Sequence, residues 1–370
     1  MKRIETVLDI TPLGDEVGGE ESIFYTFPSI CTLSNGSLLC SALVGKTKSG
    51  PEGRIRLIRS NDGMRSWQPS ASPSQADESD PLYGYIMCHL TETQPGRILA
   101  VYLRSERKKA DEPLFHPKTD GMQRSQVRIS FSPDFGYSWE KPHPLDFTLP
   151  DLIVPGKCII LPSGDLGIPC EVWHEWDRGW RQWPSSRLIL SSDSGLSWPS
   201  AGIMAQDTER NSIYGDPRLT ILPDGRLLAL FWRYSLLDGK DFSVHRSISI
   251  DSGRNWEPPF AIPLEAQISC PVALSPGLTL CVYQKRFGDA AGVHAVLSYD
   301  ECLHFDMATD TILWKSPKKT ASQNPFSGYA DFQFGYTTCL KESETDVLVS
   351  FWAGNGRTSC VKLLRLKVES

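Results

Sequence analysis

What this sequence lacks narrows its function before any motif is read. Its 38 Lys and Arg stand against 44 Asp and Glu, a net charge of −6, and the basic residues are scattered. That leaves no electrostatic footprint for nucleic acid or for an anionic membrane surface. No window of about 18 apolar residues occurs, which argues against a transmembrane helix. The first 20 residues carry acidic groups and no apolar core of signal-peptide length, so a cytoplasmic protein is expected. The 10 cysteines lie singly, mostly inside apolar runs such as SLLCSAL and GYIMCHL, and no CxxC pair offers metal spacing. They read as reduced, buried small hydrophobes, and no metal or cofactor is expected. Long helices are also disfavoured, because 29 Gly and 27 Pro in 370 residues call for many tight turns.

What the sequence does have is repetition. An octapeptide, S-x-D-x-G-x-x-W, occurs intact as SPDFGYSW (132–139), SSDSGLSW (191–198) and SIDSGRNW (249–256). In SNDGMRSW (60–67) the Gly stands one place early, and SYDECLHF (298–305) has Cys302 and Phe305 where Gly and Trp would be. The aspartates 62, 134, 193, 251 and 300 are spaced by 72, 59, 58 and 49 residues. Each copy follows an alternating strand such as SQVRISFS, so the octapeptide is the turn of a β-hairpin. There the Asp accepts backbone N–H bonds, the Gly takes a positive φ and the Trp covers the hairpin, which makes the motif a structural staple.

A second repeat, two apolar strands around a short turn, interleaves with the first. It runs from FPSICTLSNGSLLCSAL to GYTTCLKESETDVLVSFW and occurs six times. Together the two repeats give six four-stranded units in an all-β chain read as a single domain over 1–370. The last unit ends on CVKLLRLKV without a fourth strand, which leaves the N-terminal RIETVLDI to complete it. A ring of antiparallel sheets closed by its two termini removes exposed edges.

If the octapeptides join strands 3 and 4 at the bottom of each unit, the top face is built from the strand 2–3 loops and the connections between units. Those loops are the long ones, notably 44–54, 104–126 and 171–186, and a rigid scaffold carrying long loops at one end places a binding site there. Three arginines, Arg104, Arg233 and Arg286, end strand 2 in three units and suggest an anionic ligand on the axis. The segment EVWHEWDRGWRQW (171–183), with four Trp, reads as one wall of a carbohydrate site, and its Glu171 and His174 are candidates for acid or base work.

The octapeptide is the Asp-box, or bacterial neuraminidase repeat, and with six units the chain resembles the sialidase superfamily of six-bladed β-propellers. That resemblance implies three arginines on a substrate carboxylate, a Tyr nucleophile paired with a Glu, and an Asp acid/base. The first arginine belongs to an opening motif that reads Tyr25-Thr26-Phe27-Pro28 here, so Thr26 replaces it. Its supporting acid is also gone, because Trp352 stands in that region of the last blade. GYTTCL is similar to the motif carrying the nucleophile and points to Tyr336. Asp216 stands where the paired Glu would be, and Glu52 is the acid offered between strands 2 and 3 of blade 1. The resemblance therefore implies an exo-glycosidase acting on a terminal acidic sugar other than ordinary sialic acid, with Tyr336, Asp216 and Glu52 catalytic. Arg104, Glu171, His174, Arg233, Arg286, Thr26 and Trp352 would bind a small carbohydrate. Two rival readings are a propeller that only binds a glycan or a protein, and a lyase acting on uronate-containing polysaccharide.

Overall fold

The structure, a computed structural model, describes residues 2–14, 23–77, 83–106, 109, 112–147, 152–174, 176, 184–318, 326 and 329–369. Its strands form six antiparallel sheets arranged as a propeller. Blade 1 runs Phe24–Thr32, Leu38–Gly45, Arg54–Ser60 and Gln68–Ser70 from the axis outward, and blades 2, 4 and 5 repeat this order. The last sheet is completed as expected. Arg3–Leu13 pairs antiparallel with Ser359–Glu369, outside Asp346–Gly354 and Phe334–Lys341. Apolar side chains of facing sheets fill the space between blades; Leu39 of blade 1, for instance, packs in one cluster with Ile98 and Tyr102 of blade 2.

Blade 3 departs from the regular pattern. Its inner strand is broken into Leu152–Ile153 and Ile159–Ile160, both paired with Leu166–Val172. Pro155, which has no N–H to give a ladder, stands in the break, and beside it a Cβ on Gly156 would come 2.8 Å from the Pro169 ring.

All five octapeptides are turns between strands 3 and 4. In each, two successive residues take positive φ: 63 and 64, 135 and 136, 194 and 195, 252 and 253, 301 and 302. The intact copies place Gly at the second position. In the first copy Gly63 holds the first position and Met64 (φ 73°) the second, while Cys302 (φ 65°) bears it without glycine in the last. Asp193 shows the staple: one carboxylate oxygen accepts from the Ser197 amide at 2.9 Å, and the Ser197 hydroxyl donates to the other. These bonds hold its carboxyl at about 2. All ten cysteines are free thiols, and all but Cys339 are buried.

One device shapes the axis. The inner strands of blades 1, 4 and 6 each carry a β-bulge, between Thr26 and Ser29, Gly215 and Arg218, and Gly335 and Thr338. The first bulged residue is left-handed in all three: Phe27 (φ 51°), Asp216 (φ 50°) and Tyr336 (φ 55°). Such non-glycine residues cost about 1–3 kcal/mol each and persist where their surroundings over-determine them. All three side chains line the same cavity.

Candidate functional site

That cavity, about 130 Å³, lies on the propeller axis at the end carrying the strand 2–3 loops. Its walls are mostly apolar and rich in aromatics, with Phe27, Phe115, Trp173, Trp232, Phe326, Tyr329, Phe332 and Trp352. Its polar lining comprises Lys48, Glu171, Asp216, Gln267, Arg286 and Tyr336. Few polar groups converging in an aromatic hollow is the ordinary build of a small-molecule site.

Two carboxyls share the cavity. Glu171 Oε2 accepts the Asp216 amide at 2.9 Å, so the bulge that turns Asp216 inward also binds the neighbouring blade's acid. Burial first, then the Asp216 charge, push the Glu171 carboxyl up to about 8, against the pull of that amide and of Arg218. Burial likewise raises Asp216, opposed by Arg218 and Arg286. Arg218 Nη1 lies 3.8 Å from Asp216 Oδ1. Burial thus favours the protonated form of both carboxyls, with Arg218 drawing each back toward ionisation and Arg286 acting on Asp216 as well.

Two basic side chains share this lining. Arg286 donates through Nε to Gln267 Oε1 at 3.0 Å and through Nη1 to the Phe334 carbonyl. Burial lowers it to about 10, which leaves it charged. Lys48 Nζ stands 3.7 Å over the Tyr329 ring, buried, with no hydrogen-bond partner among the described residues. Burial and then the Arg286 charge bring this amine well below its ordinary value. Thr26 donates its hydroxyl to the Lys48 carbonyl at 2.9 Å, so the residue standing where the resemblance implies an arginine fixes the loop that delivers a lysine.

Tyr336 lines the cavity, but its hydroxyl is engaged elsewhere. It donates to the Pro155 carbonyl at 2.7 Å and lies 2.7 Å from His89 Nε2. Since the single phenolic proton goes to the carbonyl, the imidazole carries its own proton on Nε2 and donates. Burial, then the Arg218 charge, keep His89 neutral by lowering it to about 3. Burial raises Tyr336 well above its ordinary value, with Asp216 and Glu171 adding to the rise and Arg218 opposing it. The Tyr336–Asp216 pairing implied by the resemblance is not made as a hydrogen bond here.

Of the other expected residues, Trp352 and Glu171 line the cavity, and Arg286 is the one of the three arginines that does. Arg104 is turned to Gln126 Oε1, at 3.1 and 2.9 Å, and lies over the Tyr83 ring. Arg233 donates to Ser212 Oγ at 3.2 and 3.0 Å. The three arginines do not converge. Glu52 accepts the Lys46 and Thr47 amides at 2.8 and 3.2 Å, which makes it the clasp of its loop and keeps it out of the cavity lining. His174 is buried and stacks on Trp173 outside that lining. In the Trp-rich segment, Glu175 and residues 177–183, including Trp180 and Trp183, lie outside the described residues. Among the described residues, no three His, Cys, Asp or Glu side chains stand where they would hold a metal. No described helix is long and apolar enough to cross a membrane.

Sequence reasoning missed Trp232, Gln267 and Arg218. A signal for Trp232 was present: LLALFW and VLVSFW both end on Phe-Trp at the same blade position.

A family model described as a BNR repeat-like domain matches residues 36–349. No curated protein sequence matches the chain. Similar solved structures include a protein of unknown function from Dyadobacter fermentans DSM 18053, 18% identical over 99% of both chains with a TM-score of 0.72. The Hadza microbial sialidase Hz136 is 15% identical over 93% of this chain and 66% of that one, with a TM-score of 0.64. An α-L-arabinanase of Penicillium chrysogenum, solved with arabinobiose, is 12% identical over 98% of both chains with a TM-score of 0.61. Identities this low speak for the fold alone. The family match spans most of the chain, and with the Asp-box turns and the six blades it makes the chain a member of the BNR repeat-like family with the propeller fold of the sialidases.

Proposed function

We propose that the chain is an exo-acting glycoside hydrolase for a terminal acidic sugar, with Glu171 as proton donor and Asp216 as its ionised partner. The observation that carries this reading is one cavity in which two carboxyls, Glu171 with its proton held up to about 8 and Asp216 beside Arg218, share the lining with Arg286 and with Lys48, whose amine has no hydrogen-bond partner among the described residues. A sugar carboxylate between Lys48 Nζ and Arg286 supplies the acceptor the amine lacks, and it returns the amine to its charged form by linkage. Trp232 and Trp352 offer apolar faces to the ring. Glu171 gives its proton to the glycosidic oxygen as the bond to the anomeric carbon breaks. Asp216 balances the positive charge growing there; water then adds its oxygen to the anomeric carbon, and the proton it sheds restores Glu171.

The engaged hydroxyl of Tyr336 favours a second reading, a propeller that binds the acidic glycan without cleaving it. A panel of aryl glycosides of uronic and sialic acids beside their neutral counterparts separates the two. Release of the phenol from acidic members is expected, falling by about 10²–10⁴-fold in Glu171→Gln and in Asp216→Asn and by less than about tenfold in Tyr336→Phe. Undiminished turnover in both carboxyl variants would sink the assignment. Saturable binding without product would establish the second reading, and an unsaturated product absorbing in the near ultraviolet would indicate a lyase.

A further inference from the structure

A third carboxyl is bonded to the cavity lining without belonging to it. Asp241 opens strand 3 of blade 4, Lys240–Ser249, and is partly buried. Its Oδ1 accepts the Trp232 indole N–H at 2.9 Å, and its Oδ2 accepts Nε2–H of the Gln267 amide at 2.8 Å. Gln267 in turn accepts Arg286 Nε–H on Oε1 at 3.0 Å. Trp232, Gln267 and Arg286 all line the cavity, and Asp241 does not.

This run of bonds has one polarity. A carboxylate offers acceptors only and a guanidinium donors only. The carboxamide between them therefore turns its NH2 to Asp241 and its oxygen to Arg286. The flipped amide would set acceptor against acceptor at Asp241 and donor against donor at Arg286. Burial raises the Asp241 carboxyl, and the Gln267 and Trp232 bonds, then the Arg286 charge, oppose that rise. The Gln267 backbone is held as well, since its amide donates to the Gln284 carbonyl at 3.1 Å just ahead of the inner strand of blade 5, Ser269–Ser275. One acid of blade 4 thus fixes Trp232 of its own blade and, through Gln267, the Arg286 that follows strand 2 of blade 5.

We propose that Asp241 is a positioning residue of the sugar site, holding the Trp232 face and, through Gln267, the Arg286 guanidinium where the acidic sugar meets them. Its use in hydrolysis rests on the reading proposed above, whereas the bonds themselves do not.

Solvent exchange of the Trp232 indole and Arg286 Nε protons tests the arrangement, read by NMR on the full chain without ligand and assigned with Trp232→Phe and Arg286→Lys. In Asp241→Asn one acceptor is left for two donors, so either the indole loses its partner or Gln267 turns over against Arg286. At least one of the two protons should then exchange about tenfold faster or more. Gln267→Met cuts the run at its middle and is expected to free the Arg286 proton while the indole stays protected. The double variant Asp241→Asn, Gln267→Glu moves the carboxylate one link along and should return both protons to slow exchange, a rescue that general loosening of the fold would not give. In Asp241→Asn, KM for the acidic aryl glycosides should rise about tenfold and kcat fall by less than about threefold, because the groups released bind ground and transition state alike. If Asp241→Asn does not fold, Gln267→Met decides the matter. Unchanged exchange in both single variants overturns the arrangement, and an unchanged KM in an active Asp241→Asn chain overturns its use. A wild-type chain that hydrolyses no glycoside while the variants show these exchange changes sinks the hydrolase reading and leaves the positioning role in place.

Discussion

Gly215 and Gly335 each stand across the ladder from a tryptophan, Trp232 and Trp352, one residue before a left-handed side chain that enters the cavity. A Cβ on Gly215 would come 2.9 Å from the Trp232 ring and 3.0 Å from Glu171 Oε2, and one on Gly335 would come 2.8 Å from Arg286 Nη2. Neither glycine has a positive φ, so what it provides is room for the Glu171, Trp232 and Arg286 side chains against the backbone. Gly215→Ala is therefore expected to leave the fold in place and lower turnover by about 10²-fold, since small misplacements of a reacting group cost that much; steady-state kinetics beside a melting curve separates the two effects. Glu171 gives a pH prediction of definite sign. Its folded value of about 8 lies above that of an exposed carboxyl, so the folded chain keeps a proton that the unfolded chain releases between about 4.3 and 8. Stability conferred at acid pH is accordingly lost as pH rises through that window, and the Tm of Glu171→Gln should fall less steeply there. Turnover should decline above pH 8 in the wild-type chain, as the proton donor is lost.

The Asp-box hairpins act as elements because the same turn recurs whatever its sequence does at the glycine. Two adjacent left-handed residues are required, and glycine at either one, or packing strong enough to hold Cys302, meets the requirement. This explains why the two irregular copies were still legible as turns. The Trp of the motif seats the hairpin against its blade, and Trp198 is the most deeply buried of those that close the boxes. Trp198→Ala should destabilise the chain by about 3–5 kcal/mol in denaturant titration, as for a large core aromatic. The interrupted inner strand of blade 3 was not legible, because a strand needs both the apolar pattern and a donor at each ladder position, and Pro155 supplies none. The exchange has a use, since the Pro155 carbonyl left outside the ladder accepts the Tyr336 hydroxyl.

The ring is closed by eleven residues from one end of the chain, Arg3–Leu13, laid against Ser359–Glu369. That outer strand keeps buried Leu364, Leu366 and Val368 in a continuous sheet and removes a long free edge. A chain lacking residues 1–13 should lose this protection. Size exclusion with light scattering is expected to show association into larger species, and a monodisperse truncated chain would contradict the closure argument.

The fold was legible in the amino-acid order alone. Turns, alternating strands and the unfinished last blade are local signals, and closing a ring of six sheets leaves them little choice. The amino-acid order also named Glu171, Asp216, Arg286, Tyr336 and Trp352, which line the cavity, because the ends of inner strands must face the axis. Which side chain at those ends turns inward was set by packing and strand geometry. Neighbours on a strand point to opposite faces, and a bulge shifts that alternation by one residue. Trp232 enters the cavity and the adjacent Arg233 does not; Leu103 enters and Arg104 does not. The same geometry turns Asp216 toward Glu171, makes Glu52 a loop clasp, and brings in Lys48 where an arginine was implied. These outcomes depend on contacts between blades far apart in sequence, which no local pattern records.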